Sequence, residues 1–223
     1  MNDVQEIIKD IKSKFRLYMN GVISQSMREK GMDYKLNFGI EYSRIKEIAA
    51  GYEKNHELAQ ALWKENIREC KIMATLLQPV DSFYKDIAEI WIEDMKYPEL
   101  AEYTVMNILQ HVDYASDVVF KWIADERTYF QFCGYMLMTR LLMKGMKLNE
   151  RAEAEFLDQV FTEIEGGEPM VKKAAATALK KFAAQSKENA KMVGRQLGLL
   201  SKTANSELKL YIDEIKYDIE YCQ

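Results

Sequence analysis

Carboxylates occur in close pairs along this chain: Glu93 with Asp94, Glu99 with Glu102, and Asp125 with Glu126. Such pairs can divide into a general acid and a general base when their surroundings separate their pKa values. On charged helices they are ordinarily a solvated face, and that is the expectation here. A nucleophile–base couple has little to build on, because His56 and His111 stand far apart and outside any metal-ligand spacing. No phosphate-cradling glycine loop, GxSxG, HExxH or calcium-loop pattern is present. The cations offer more. In VKKAAATALKKFAAQ, which begins at Val171, residues Lys173, Thr177, Lys180 and Lys181 fall three, four or seven apart and share a face if the segment is helical. Mostly alanines lie between them, a small surface rimmed by long cations that suits a closely approaching phosphate backbone. The plain alternative is a lysine-rich solvated face with no ligand.

The net charge of −4 would discourage a polyanion partner, but the charge is unevenly placed. From Asp81 to Thr128 there are eleven acidic and four basic residues; from Val171 to Lys202 there are eight basic residues against Glu188 alone. That polarity marks where an anion could dock even on an acidic chain.

The elements that must carry these residues read as helices. Hairpin signals and long period-two alternation are absent, whereas HELAQALWK, IRECKIMATLL and ERAEAEFLDQVFTEI each place apolar residues at helical spacing. Pro79, Pro98 and Pro169 stand where helices would begin, and Gly31, Gly51, Gly145 and Gly166–Gly167 stand where helices would end. All three tryptophans occupy one repeated corner, with Trp63 and Trp91 28 residues apart and Trp91 and Trp122 31 apart. Phe161 holds the equivalent place in a weaker fourth unit, QVFTEIEGGEPMVKKAAATALKKF. Periods of this size built from paired helices predict an all-α solenoid, each pair burying its apolar face on its neighbours. About twelve short helices are expected in a single domain over 1–223, with 1–38 leading into the array. The tryptophans are then expected to be inter-repeat packing.

At 48% apolar and 30% charged residues the balance is that of an ordinary globular chain. Cys70, Cys133 and Cys222 form no CxxC pair, which argues against a zinc site or a disulfide framework and suits a reducing, cytoplasmic setting. The opening MNDVQEIIKDIKSKF is charged throughout, unlike a secretory signal, and YMLMTRLLM is too short to span a bilayer. No membrane, metal or cofactor is expected, and a monomer is.

The stretch YKLNFGIEYSRIKEIAAGYEKNHELAQALWKENIRECKIMATLLQP resembles the N-terminal repeats of the bacterial AlkD-type DNA alkylation repair proteins. The resemblance rests on FGI leading into a basic RIKEIA helix, on HELAQALWK and on IRECKIMATLL. It continues through RTYFQFCGYMLMTRLLMKG to about residue 185. It implies a curved α–α superhelix of HEAT-like repeats whose concave basic face grips duplex DNA. Active members release N3- or N7-alkylated purines without a deep base pocket, using aromatic residues and an aspartate against the lesion's sugar. An alkylated purine is already a cationic leaving group, so negative charge near the developing oxocarbenium ion does much of the work.

Judged by that resemblance, the sequence departs from the pattern at the catalytic positions. Where active members carry a Trp-Asp-x-x-Asp motif, this chain has Pro98-Glu99-Leu100-Ala101-Glu102. Pro98 then stands at the tryptophan position and Glu102 at the aspartate position. Gln131 stands at the family's arginine and Thr177 at its second tryptophan. Tyr97, Tyr103 or Tyr129 are the candidates to supply an aromatic face instead. A DNA contact set follows: Lys172, Lys173, Lys180 and Lys181, with Arg68, Lys71, Arg140 and Lys144 on other second helices. Three functions are compatible with these residues. One is a DNA-binding family member, for duplex, damaged or branched DNA, with weak or lost glycosylase activity. Another is an active alkylpurine glycosylase using Glu102. The third is a helical scaffold for a protein partner, which the acidic run would favour if that partner were basic.

Overall fold

In the computed structural model, which describes residues 2–221, thirteen α-helices account for most of the chain and no strand is present among the described residues. The chain divides into two compact units, 1–112 and 113–223. The first contains α1 (Asn2–Leu17), α2 (Gly21–Glu29), α3 (Tyr42–Ala49), α4 (His56–Lys64), α5 (Arg68–Leu77), α6 (Lys85–Glu93) and α7 (Pro98–Asn107). The second contains α8 (Ala115–Ile123), α9 (Thr128–Met143), α10 (Glu150–Gly166), α11 (Pro169–Ala183), α12 (Lys187–Thr203) and α13 (Ser206–Tyr221).

The punctuation acts as its chemistry requires. Pro98 and Pro169 open α7 and α11 at their first positions, and Pro79 precedes a short 3-10 turn at Val80–Ser82. Gly31 and Gly145 take left-handed φ values of 88° and 90° just beyond α2 and α9. Asparagine caps hold three helix starts: Asn20, Asn55 and Asn149 accept from backbone N–H groups at the heads of α2, α4 and α10.

In the first unit α5 is the central element, packed against α3, α4 and α7 and buried along nearly its whole length. Trp63 of α4 and Trp91 of α6 stack with ring centroids 4.0 Å apart and 4° between planes, and Phe83 meets Trp91 edge-on at 4.9 Å. This is the first repeated corner. Its stacking contributes about 1 kcal/mol beyond the burial of the rings themselves. Residues 36–40, which contain the FGI motif, clasp the head of α5. Leu36 makes a parallel bridge to Ile67, and the buried Glu69 accepts from the backbone N–H of Phe38 (3.1 Å) and of Ile40 (3.2 Å). Gly39 sits in that clasp at φ 70°, where a Cβ would fall 2.2 Å from the Asn20 carbonyl oxygen.

In the second unit α11 is central, contacting α9, α10, α12 and α13. Its alanines allow this: Ala174, Ala175, Ala176, Ala178 and Ala183 are all buried. Trp122 is fully buried and meets Phe130 edge-on at 6.1 Å, the same corner used inside an α8–α9 pair. Phe156 and Phe182 join α10 to α11 at 5.6 Å.

Candidate nucleic-acid interface

The head of α7 carries the first group of predicted site residues. Pro98 is half-buried and Glu102, one turn on, is exposed. Glu99 is not the solvated acid expected of it. It receives Nε of Arg68 at 2.8 Å and the second guanidinium arm at 3.0 Å, a two-pronged clamp. Arg68 also donates to Glu69 (3.1 Å) and to the Ile40 carbonyl (2.9 Å). Burial works against the charge of Arg68, but the bonds and field of Glu99 and Glu69 more than offset it, and its pKa is held above the ordinary arginine value.

Four tyrosines surround this clamp. Tyr34 packs on Tyr97 at 4.6 Å and its hydroxyl reaches Glu99 at 3.4 Å. Tyr42 stacks on Tyr103 at 4.4 Å and 10°, and donates to Asn107, which in turn donates to Thr75 (2.8 Å each). The Tyr103 hydroxyl has its pKa raised, by burial first and then by the negative charge of Glu99. Of the candidate aromatics, Tyr103 thus stands next to Glu102 with a stacked partner. Tyr97 is engaged by the Asp33 backbone N–H at 2.6 Å, and Tyr129 is half-buried at the start of α9. The partners Tyr34 and Tyr42 were not among the predicted site residues; the signal was the tyrosines flanking the FGI motif.

Two of the predicted DNA contacts are corrected by burial. Arg68 is 3% exposed and fully engaged in the clamp. Lys71 is 8% exposed; its ammonium donates to the Trp63 carbonyl at 2.8 Å, pairs with Asp94 and lies 4.5 Å from the Trp63 ring. Neither has a surface to offer a phosphate. The reason is α5 itself: enclosed by three helices, it must neutralise its charges internally.

The second unit holds the remainder. Gln131, at the head of α9, donates to Glu163 of α10 at 3.1 Å, and burial raises the Glu163 pKa. Arg140 is half-buried near the end of α9, and Lys144, just past it, is exposed. On α11 the basic run divides into two faces. Lys180 pairs with Asp218 at 2.8 Å and Lys172 lies 5.2 Å from the Tyr211 ring, so both are drawn towards α13. Lys173 and Lys181 are exposed, with the half-buried Thr177 midway between them bonding back to the Lys173 carbonyl at 2.9 Å. This outward strip of Lys173, Thr177 and Lys181 is held by no carboxylate among the described residues.

Other chemistries find little footing. Cys70 is buried with its pKa pushed up to about 12, and burial also raises that of Cys133, so neither supplies a ready thiolate. Cys222 lies outside the described residues. No three of the described His, Cys, Asp and Glu residues are grouped to hold a metal, and no described helix is long and apolar enough to cross a membrane.

The first unit thus offers an acidic, tyrosine-flanked α7 and the second a cationic α11. The chain belongs to the DNA alkylation repair enzyme family, whose model matches residues 11–194. A solved structure described as one of "a new family of proteins related to the HEAT-like repeat DNA glycosylases with affinity for branched DNA structures" superposes with a TM-score of 0.73. It shares 19% sequence identity, over 83% of this chain and 81% of that one, a likeness that establishes the fold. Comparison with curated proteins found no match.

Proposed function

We propose that this protein binds DNA through the outward strip of α11, on duplex and on branched substrates, and has little or no glycosylase activity. The observation that carries the binding half is that Lys173 and Lys181 remain exposed on a helix that packs against four neighbours. Small residues between two free cations let a phosphate backbone approach closely. Family membership and the relative's affinity for branched DNA support the choice of DNA over another polyanion. The weak-activity half rests on α7 and on the substituted positions, Pro98, Gln131 and Thr177. Preorganised groups of the kind they replace are typically worth about 10²–10³ in rate each.

The active-glycosylase reading draws on one observation, the stacked Tyr42–Tyr103 pair beside Glu102. Two assays separate the readings. Fluorescence anisotropy on a duplex and on a four-way junction, across salt, is expected to give micromolar or tighter binding with a log–log salt slope of several units. Absence of binding at low salt would overturn the DNA reading and favour a protein scaffold. Base release from methylated DNA is expected to be at or near background. Robust release that Glu102→Gln abolishes, with binding intact, would replace the proposal by an active enzyme using Glu102.

A further inference from the structure

The basic segment does not end with α11. On α12, Lys187, Lys191 and Arg195 are spaced four apart, with Lys202 seven further on, and all four are exposed. At 1.5 Å rise per residue the first three cations are about 6 Å apart and Lys202 lies about 10 Å further along the same face. None of the four is held by a carboxylate among the described residues. The row lies opposite the packed side of α12, where Val193 and Leu197 are buried and Asn189 donates to the Phe182 carbonyl of α11 at 3.1 Å. It therefore faces away from α11.

A second feature of α12 lacks a packing reason. Gly194 and Gly198 sit in the helix interior, where glycine carries the largest propensity cost of any residue but proline. A Cβ at either would meet nothing within 4 Å, so no neighbour requires their smallness. Both fall beside the cation row, one turn apart, and Gly194 lines a shallow groove with Ala190 and Lys191 of α12 and with Lys216, Ile219 and Glu220 of α13. Bare backbone flanked by cations is what close approach of a phosphodiester chain needs.

We propose that the outer face of α12 is a second phosphate-backbone track, separate from the α11 strip, that takes a further duplex arm of a branched DNA. The proposal rests on the DNA-binding reading above. The α11 strip and a row turned to the other side of α12 are two separate faces, and two arms diverging from a junction would present phosphates to both.

The test compares the full chain with two variants, Lys187→Gln/Lys191→Gln/Arg195→Gln and Gly194→Leu/Gly198→Leu, on a 25-base-pair duplex and a four-way junction of the same arm sequence. The second variant blocks approach without altering charge, and thermal melts establish that both fold. For the triple variant the junction Kd is expected to rise at least about tenfold and its salt slope to fall by about 2–3, with the duplex Kd changed less than about twofold. The leucine variant is expected to weaken the junction selectively as well. Equal losses on both probes would overturn the proposal by showing one shared surface. No loss on either would show a solvated face, or a track for another partner. If the wild-type chain binds neither probe, the parent reading fails and the track with it, an outcome visible before any variant is made.

Discussion

Helices α5 and α11 both carry cations predicted to meet DNA, and the structure uses them in opposite ways. On α5, Arg68 and Lys71 are buried and answered by Glu69, Glu99 and Asp94. On α11, Lys173 and Lys181 look outward unanswered. Both helices are central to their units, so position in the array does not explain the contrast. Side-chain phase does. Arg68 and Lys71 fall on sides of α5 covered by neighbours, where an unpaired charge would be prohibitively expensive. Lys173 and Lys181 of α11 fall on the strip its four neighbours leave open.

The largest effect that sharpens this contrast is on stability. Arg68→Ala leaves Glu69, which is fully buried, and Glu99 without their cation, and is expected to cost about 3–5 kcal/mol. That corresponds to a fall in Tm on the order of 10 °C for a chain of this size, readable by thermal or denaturant melts. A loss below about 1 kcal/mol would show that the clamp is not structural. Next is the clasp that Arg68 and Glu69 hold. Gly39→Ala forces a Cβ into the Asn20 carbonyl at a left-handed φ, and at least about 1–3 kcal/mol of destabilisation is expected in the same melts.

On α11 the expectation reverses. Lys173→Gln/Lys181→Gln should leave stability within about 0.5 kcal/mol. It should weaken duplex binding and lower the salt slope by about 2 in anisotropy titrations. If the pair alters Tm and not DNA affinity, the contrast between the two helices collapses.

The smallest effect concerns Glu163, whose pKa is raised by burial despite the bond from Gln131. A carboxyl with a raised folded-state pKa binds its proton more tightly in the native state, so its ionisation costs stability above that pKa. Glu163→Gln is expected to raise Tm slightly at pH 7. The gain should vanish as pH falls through the raised value towards the ordinary glutamate range near 4.5. A gain unchanged at low pH would assign the effect to packing instead of charge.

Much of the architecture was readable from local pattern. The tryptophan spacing, the three prolines and the helical apolar periods predicted paired helices of this order, and thirteen are found where about twelve were expected. The structural role of the tryptophan corner was readable too, because a large apolar ring recurring with the repeat has nowhere to go but the seam. The site was far less legible. Glu99 read as a solvated acid and Arg68 as a phosphate contact, yet they are partners across 31 residues. The α11 lysines read as one face and proved to be two, because α13 takes Lys172 and Lys180 for itself. The α12 row was counted as charge and not recognised as a surface.

The sequence by itself determined helix positions, their ends and the polarity of charge along the chain, since these depend on propensity, capping and composition within a turn or two of each residue. Which cations are free was decided only by the tertiary structure. A charge is neutralised by whatever carboxylate folding brings within about 4 Å, and sequence distance says little about that neighbour.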